Sequence, residues 1–463
     1  MKIARLRNSA CWSKAAKVGA ALVLLVCAAL LRVVPLAKRA ISLFLPNRLS
    51  GVLKQLDSIP RERLRRCVLF LSLRPHARET RLAAAARLAG WEPVLVHTGK
   101  ANYDPGRFFS FHAQVGGLLQ LVAVSWWFRG PLVHVFAPDG AHAYLLCATK
   151  TRPLILDPYD TCSGYASSPA LWRRCERAAM RAADGMTHRD LRVKYLQDLH
   201  GYALPRHNIL IHDPLPESRG PISASSTGAQ IPLTPSLSPS NGERVSEAPL
   251  TPSLSPSDGE RVAAGRERGC REIRVVSAGW VGKGDNSILR ITRALCAGRV
   301  HVHMYVNPFQ HHGDPEMADY FKLREQSEYF HIEQPVYGET YLEQLARYDF
   351  GLALCEPLVF GETPKDYTAD YLRGCGSSRI VDYIQTGLGV IVSTGTRFQV
   401  FFARRYAAAV VMATPEFLAN PRPALEAALR AKAAAKPKNV TTITTQGVAR
   451  RLDRFYSRVA AQA

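Results

Sequence analysis

The sequence predicts an α/β protein made of two tandem, doubly wound parallel sheets. Two observations predict it. Short continuous apolar runs alternate with helical patterns in two long series, as parallel strands covered on both faces require. A Ser/Pro-rich stretch with almost nothing to pack lies between the series and divides the chain. The 463 residues are 47% hydrophobic and 21% charged, enough to bury several cores and wrong for a mostly disordered chain.

In the first series, residues 67–73 (CVLFLSL) read as a buried strand, because the run is almost wholly apolar. Residues 81–90 form an alanine-rich helical pattern. PVLVH at 93–97 is the next strand, and the apolar 116–128 suits a buried helix. LVHVF at 132–136 is a strand, 141–150 a helix, and 153–156 a strand that runs into the polar DPYDTCSG. Residues 172–183 place Ala and Met on one helical face and Arg on the other. Residues 184–187, 191–199 and 209–211 complete the series as strand, helix and strand.

The second series repeats this grammar. Strands are expected at 273–277, 300–306, 350–354 and 390–393. Helices are expected at 287–297, 339–346, 379–385, 415–418 and 424–435, with a basic amphipathic helix at 448–459. Two Rossmann-like sheets of this kind leave a ligand crevice at the carboxyl ends of their strands. No G-x-G-x-x-G follows the first strand of either series, and no G-x-x-x-x-G-K-[ST] occurs. Nicotinamide dehydrogenases and P-loop enzymes are therefore disfavoured.

Between the series, residues 232–245 (PLTPSLSPSNGERV) and 249–262 (PLTPSLSPSDGERV) are copies that differ only at Asn241 and Asp258. Proline at this density prevents regular helix or strand, so 216–269 is expected to be a disordered linker. The expected organisation is a membrane-associating segment at 1–60, an N-terminal domain at 67–215, the linker, a C-terminal domain at 270–440 and a basic helix at 441–463.

The net charge of +22 invites a polyanionic partner along the whole chain. Its distribution says otherwise. Residues 1–66 hold fourteen Lys/Arg against two acids, and 422–463 hold nine against two, which leaves the body at only +3. A nucleic-acid channel through the core is disfavoured. Residues 18–31 (VGAALVLLVCAALL) are uncharged, and fourteen helical residues span about 21 Å, short of a roughly 30 Å hydrocarbon core. A signal peptide, a single anchor and a helix lying in the interface all fit this segment. The last two predict attachment to an anionic membrane at its cytoplasmic face. The ten cysteines form no C-x-x-C pair and no zinc spacing.

Two motifs carry chemistry. SAGWVGKGD at 277–285 runs from a strand into a turn containing Gly279, Gly282, Lys283 and Gly284, then a helix. Glycines let backbone N–H groups approach an anion, and Lys283 adds full charge, which suits a diphosphate. In SSRIVDYIQTGLGVIVSTG at 377–395, Arg379 and Asp382 stand i, i+3 on one helix face. The cation suits phosphate and the carboxylate suits ribose hydroxyls.

The order of these motifs resembles bacterial GT-B-fold glycosyltransferases of the large retaining family that includes sucrose-synthase-like and mannosyltransferase-like enzymes. Gly279 to Gly284 matches that family's Gly-x-x-x-Lys-Gly turn. Arg379, Asp382, Tyr383 and 387–391 match its basic–acidic–Tyr helix and following turn. RPHARETR at 74–81, ILDPYD at 155–160 and CERAAMRAADGMTHRD at 175–190 resemble parts of its first domain. The sequence departs where the family carries Arg early in the turn (Trp280 here) and where it carries the first Glu of a spaced pair (Gly374 here). Glu362 and Asp370 are nearby substitutes for that Glu.

The resemblance implies glycosyl transfer from a nucleotide-sugar donor to a glycan or lipid-linked acceptor, with retention. Lys283 and Arg379 would stabilise the leaving diphosphate, Asp382 would hold ribose, and Asp157 and Asp160 would face the acceptor. No metal and no cofactor beyond the donor substrate is implied; the lack of a D-x-D motif agrees with metal independence. No nucleic-acid partner is expected. The alternative is a catalytically silent scaffold of the same fold that binds a nucleotide-sugar or a protein.

Overall fold

The computed structural model describes residues 47–101, 103–137, 140–158, 161–213, 271–279, 281–282, 285, 287–306, 314–334, 336, 340–436 and 438–462. The apolar run at 18–31, the repeats at 232–262, and Tyr159, Asp160, Trp280, Lys283 and Gly284 lie outside the described residues. Among the described residues no helix is long and apolar enough to cross a membrane.

The first half holds α1 (Asn47–Asp57), β1 (Cys67–Ser72), α2 (Ala77–Leu88), β2 (Glu92–His97), β3 (Phe111–Gln114), α3 (Leu118–Trp127) and β4 (Leu132–Ala137). It continues through α4 (Gly140–Ala148), β5 (Leu154–Pro158), α5 (Ala170–Ala182), β6 (Gly185–His188), α6 (Arg192–His200) and β7 (His207–Leu210). Its seven strands run in the order β3-β2-β1-β4-β5-β6-β7, all pairs parallel.

The second half holds β8 (Arg274–Ala278), α7 (Leu289–Ala297), β9 (His301–Tyr305), α8 (Ala318–Gln326), β10 (Phe330–Glu333), α9 (Thr340–Leu345) and β11 (Phe350–Ala353). Then come α10 (Ala369–Gly374), α11 (Ser378–Gln385), β12 (Gly389–Ser393), α12 (Arg397–Tyr406), β13 (Val410–Ala413), α13 (Pro415–Ala419), α14 (Pro421–Ala434) and α15 (Thr445–Ala460). Its six parallel strands run β10-β9-β8-β11-β12-β13. The strand order reverses beside β1 and β4 in one sheet, and beside β8 and β11 in the other. These are the places where open α/β sheets form crevices.

β1 shows why its run is so apolar. Cys67, Leu69 and Leu71 enter one core with α1 and α3, while Val68 and Phe70 enter another with α2 and α15. Both faces are covered, so neither set of alternating positions faces water.

Four differences from the sequence expectation have physical causes. α2 begins at Ala77 rather than 81, because His76 and Glu79 form a reciprocal capping box that starts the helix early. β3, β10 and β13 are edge strands; β3 alternates exposed and half-buried positions and lacks a continuous apolar run. α1 buries Leu49, Val52, Leu53 and Leu56 in the first core, so that part of the basic N-terminal segment is structural. The apolar face of α15 is likewise taken by the first half: Val448, Leu452, Phe455, Tyr456 and Val459 pack against α2 and β4, which leaves Arg450, Arg454 and Arg458 outward.

Candidate functional site

At the carboxyl end of β8 the chain turns through Gly279, whose φ of +106° favours glycine. Its N–H donates to the Tyr305 carbonyl at 2.9 Å. A Cβ on Gly279 would lie 3.2 Å from Nε of Arg379, so the guanidinium rests directly against the turn. Arg379 reaches this position from the first turn of α11. Gly282, three residues further along the turn, is buried. The structure thus brings Gly279 and Arg379 together at the switch point of the second sheet.

Asp382, one helical turn further on, is 2% exposed and already engaged. Arg81 Nη1 donates to its Oδ1 at 3.0 Å, Arg81 Nη2 to its Oδ2 at 3.2 Å, and the Tyr341 hydroxyl to Oδ2 at 3.3 Å. The expected ribose carboxylate is therefore the second half's side of a buried ion pair. Arg81 stands in the RPHARETR segment that the sequence pointed to, but its partner there could not be foreseen.

Asp157 departs from expectation in the same way. It is 1% exposed and already paired. Arg78 Nε and Nη2 donate to it at 2.8–3.0 Å, and Thr187 Oγ1 donates to it as well. Arg78 also pairs with Asp213 and donates to the Ile211 carbonyl. Burial opposes charge on Arg78, yet Asp157 and Asp213 hold it protonated, above its ordinary range. Burial likewise opposes charge on Asp213, and Arg78, Arg189 and Arg81 outweigh it and keep the carboxyl below the usual range. These ions sit at the carboxyl ends of the first sheet's strands and anchor the start of α2 there.

The two halves meet through a loop pair. Asp285 closes the second-half turn, and its carboxylate accepts N–H groups of Lys365, Asp366 and Tyr367 at 2.9, 2.7 and 3.1 Å. That loop bridges to the first half: Ala166 N–H donates to the Asp366 carbonyl at 3.1 Å, and Thr368 N–H to the Gly164 carbonyl at 2.9 Å. Across from it, Glu176 takes the N–H groups of Cys162 and Ser163 at 2.6 and 3.1 Å and fixes the first-half loop. Tyr165, Tyr367 and Tyr371 pack ring on ring over the junction.

Gly374 explains the departure from the family's Glu. A Cβ there would lie 2.5 Å from the Tyr195 ring and 3.0 Å from the Arg192 nitrogen of α6. A side chain there presses into the Tyr195 ring unless that ring moves. Of the two nearby acids, Glu362 pairs with Arg290 and Asp370 with Arg373, both exposed. Next to Gly374, Gly376 N–H donates to Asp190 at 2.9 Å. A small hollow at this junction is lined by Arg189, His212, Asp213, Ser377, Ser378 and Phe398, among others.

No family model matches the chain, and no curated protein matches it. Solved structures do. The Anabaena HepE protein in complex with UDP-glucose is 12% identical over 86% of this chain and 98% of its own, with a TM-score of 0.48. AviGT4, a glycosyltransferase involved in avilamycin A biosynthesis, is 11% identical over 86% and 98%, at 0.49. The Neisseria meningitidis UDP-GlcNAc 2-epimerase bound to UDP-GlcNAc is 8% identical over 85% and 100%, at 0.47. Of these three, one is named a glycosyltransferase and one an epimerase.

Proposed function

We propose that this chain is a nucleotide-sugar-dependent glycosyltransferase of GT-B architecture. The supporting observation is the Arg379 guanidinium held against the left-handed Gly279 turn, at the carboxyl end of β8. A donor diphosphate placed there meets the backbone of Gly279 and Gly282, the start of α11 and the charge of Arg379; Lys283 and Gly284 are assigned to it from the sequence motif. In the transfer, the bond between the anomeric carbon and the diphosphate oxygen breaks. A bond to an acceptor oxygen forms, and the acceptor proton passes to a carboxylate, for which Asp160 is our candidate. The leaving diphosphate gains charge, and the two cations stabilise it without a metal. We assign a retaining outcome, a glycan or lipid-linked acceptor, and a place at the cytoplasmic face of the inner membrane, reached through residues 1–60.

One observation favours the silent scaffold as a second reading. A carboxylate at position 374 would press into the Tyr195 ring, and Asp382 is spent on Arg81. A panel of UDP-, GDP- and ADP-sugars tests both readings by calorimetric binding and by release of free nucleotide. The transferase reading expects at least one donor to be consumed, and Arg379→Ala to weaken nucleotide binding about tenfold or more. Binding without turnover selects the scaffold. Binding unchanged in both Arg379→Ala and Lys283→Ala removes the proposed site.

A further inference from the structure

Helix α3 is unlike the other surface helices of the first half. Its ten residues, LLQLVAVSWW, carry no charge, whereas α5 presents Arg174, Arg177 and Arg181 to solvent. One side of α3 is core: Leu121, Val122, Val124 and Ser125 are buried. The other side is an apolar stripe. Leu119, Ala123, Trp126 and Trp127 stand at i, i+4, i+7 and i+8 along one face; Ala123 and Trp126 are half-buried against the first core, with Trp126 Nε1 donating to the Thr149 carbonyl at 2.6 Å, which leaves Leu119 and Trp127 as the exposed ends. Leu119 is 57% and Trp127 40% exposed.

This stripe adjoins the point where the basic N-terminal segment joins the body. Trp127 Nε1 donates to Asp57 at the end of α1 at 2.9 Å, and Arg129 pairs with the same carboxylate at 3.4 Å. α1 packs beside α3 and keeps Lys54 exposed. Upstream of α1, residues 1–46 contain eight Lys/Arg, no acid and the uncharged run 18–31. Sixteen positions separate Leu31 from Asn47, a tether of at most about 55 Å. Any surface that receives the run is thereby held near α3. Tryptophan prefers the headgroup level of a bilayer, and Lys and Arg prefer anionic lipid.

We infer that the outer face of α3 is a second, structured membrane contact. Leu119 and Trp127 enter the headgroup boundary of an anionic bilayer, with Arg129 and Lys54 against lipid phosphates. The inference shares the anionic membrane with the proposed function and takes the N-terminal tether as support, but does not depend on the transferase chemistry.

Flotation of the full chain with vesicles of phosphatidylglycerol and phosphatidylcholine in equal parts tests it. Leu119→Gln combined with Trp127→Gln is expected to lower partitioning about tenfold, with unchanged circular dichroism. Partitioning within about twofold of the parent overturns the inference. A photoreactive benzoylphenylalanine at position 119 supplies a readout independent of any loss of fold. A phospholipid adduct at 119, absent when the same group is placed at 177, supports the contact. An adduct on residues 18–31, on a second copy or on another protein overturns it. Leu24→Glu combined with Leu25→Glu separates the two membrane elements. If that variant binds as the parent does while the α3 variant does not, the N-terminal reading fails and this inference stands. If the α3 variant binds as the parent does while the Leu24/Leu25 variant does not, this inference fails and the N-terminal reading stands.

Discussion

Arg81 in the first half and Asp382 in the second lie 301 positions apart, yet they share two hydrogen bonds of 3.0 and 3.2 Å in the interior. Arg81 also donates to the Asp213 carbonyl at 2.9 Å, so one guanidinium ties α2, α11 and the end of the first half. Removing one member leaves the other charge buried, which costs about 3–5 kcal/mol. Arg81→Ala is expected to lower the stability measured by urea unfolding by that amount. Arg81→Met with Asp382→Leu is expected to recover most of it.

Gly374 predicts a packing conflict. Gly374→Ala forces its methyl against the Tyr195 ring, and overpacking of this kind costs about 1–3 kcal/mol. Tyr195→Ala opens the space. The two changes together are therefore expected to cost less than their sum in a double-mutant cycle read by thermal melting.

Asp285 links the turn beside Arg379 to the junction of the halves. Asp285→Ala removes the acceptor of three N–H groups. Amide exchange at Lys365, Asp366 and Tyr367 is expected to accelerate about tenfold or more. The bridge amides of Ala166 and Thr368 should follow. Parent-like protection there would show that the bridge stands without Asp285.

The pH dependence follows from two buried imidazoles. Burial lowers the pKa of His134 to about 3 and that of His212 to about 4. The unfolded chain takes up their protons near pH 6.5, and the folded chain does not. The stability they contribute is thus complete above about pH 6.5 and is lost as pH falls toward 4. The expected slope is up to about 2.7 kcal/mol per pH unit from the pair. Urea titrations at pH 7, 6 and 5 measure it, and His212→Gln should lower the slope.

Central strands were legible because burial on both faces selects apolar residues. β1, β4 and β11 show this directly, and the half-solvated β3 and β10 show why edges were missed. Gly279 and Arg379 were each legible as a turn glycine after a strand and a cation on a helix; that the two touch was not. Asp382 was legible as an acid sharing a helix face with Arg379, but not as the partner of Arg81. Pairing across halves leaves no periodicity in either segment. Gly374 was visible as a missing carboxylate, while its cause, the Tyr195 ring of a distant helix, exists only in the folded chain.

α15 has a consequence for synthesis. The Tyr456 hydroxyl shares a hydrogen bond of 2.7 Å with His134, and Trp91 donates to Asp453 at 3.0 Å, so both contacts tie α15 to the half that is translated first. The sheet made first of the two is therefore finished by a helix that follows the whole of the second sheet. A ribosome must release residue 460 before that sheet can close, and until then its α2 face stays uncovered. The second half is made inside this waiting period, as an insertion in a fold that its neighbour begins and ends.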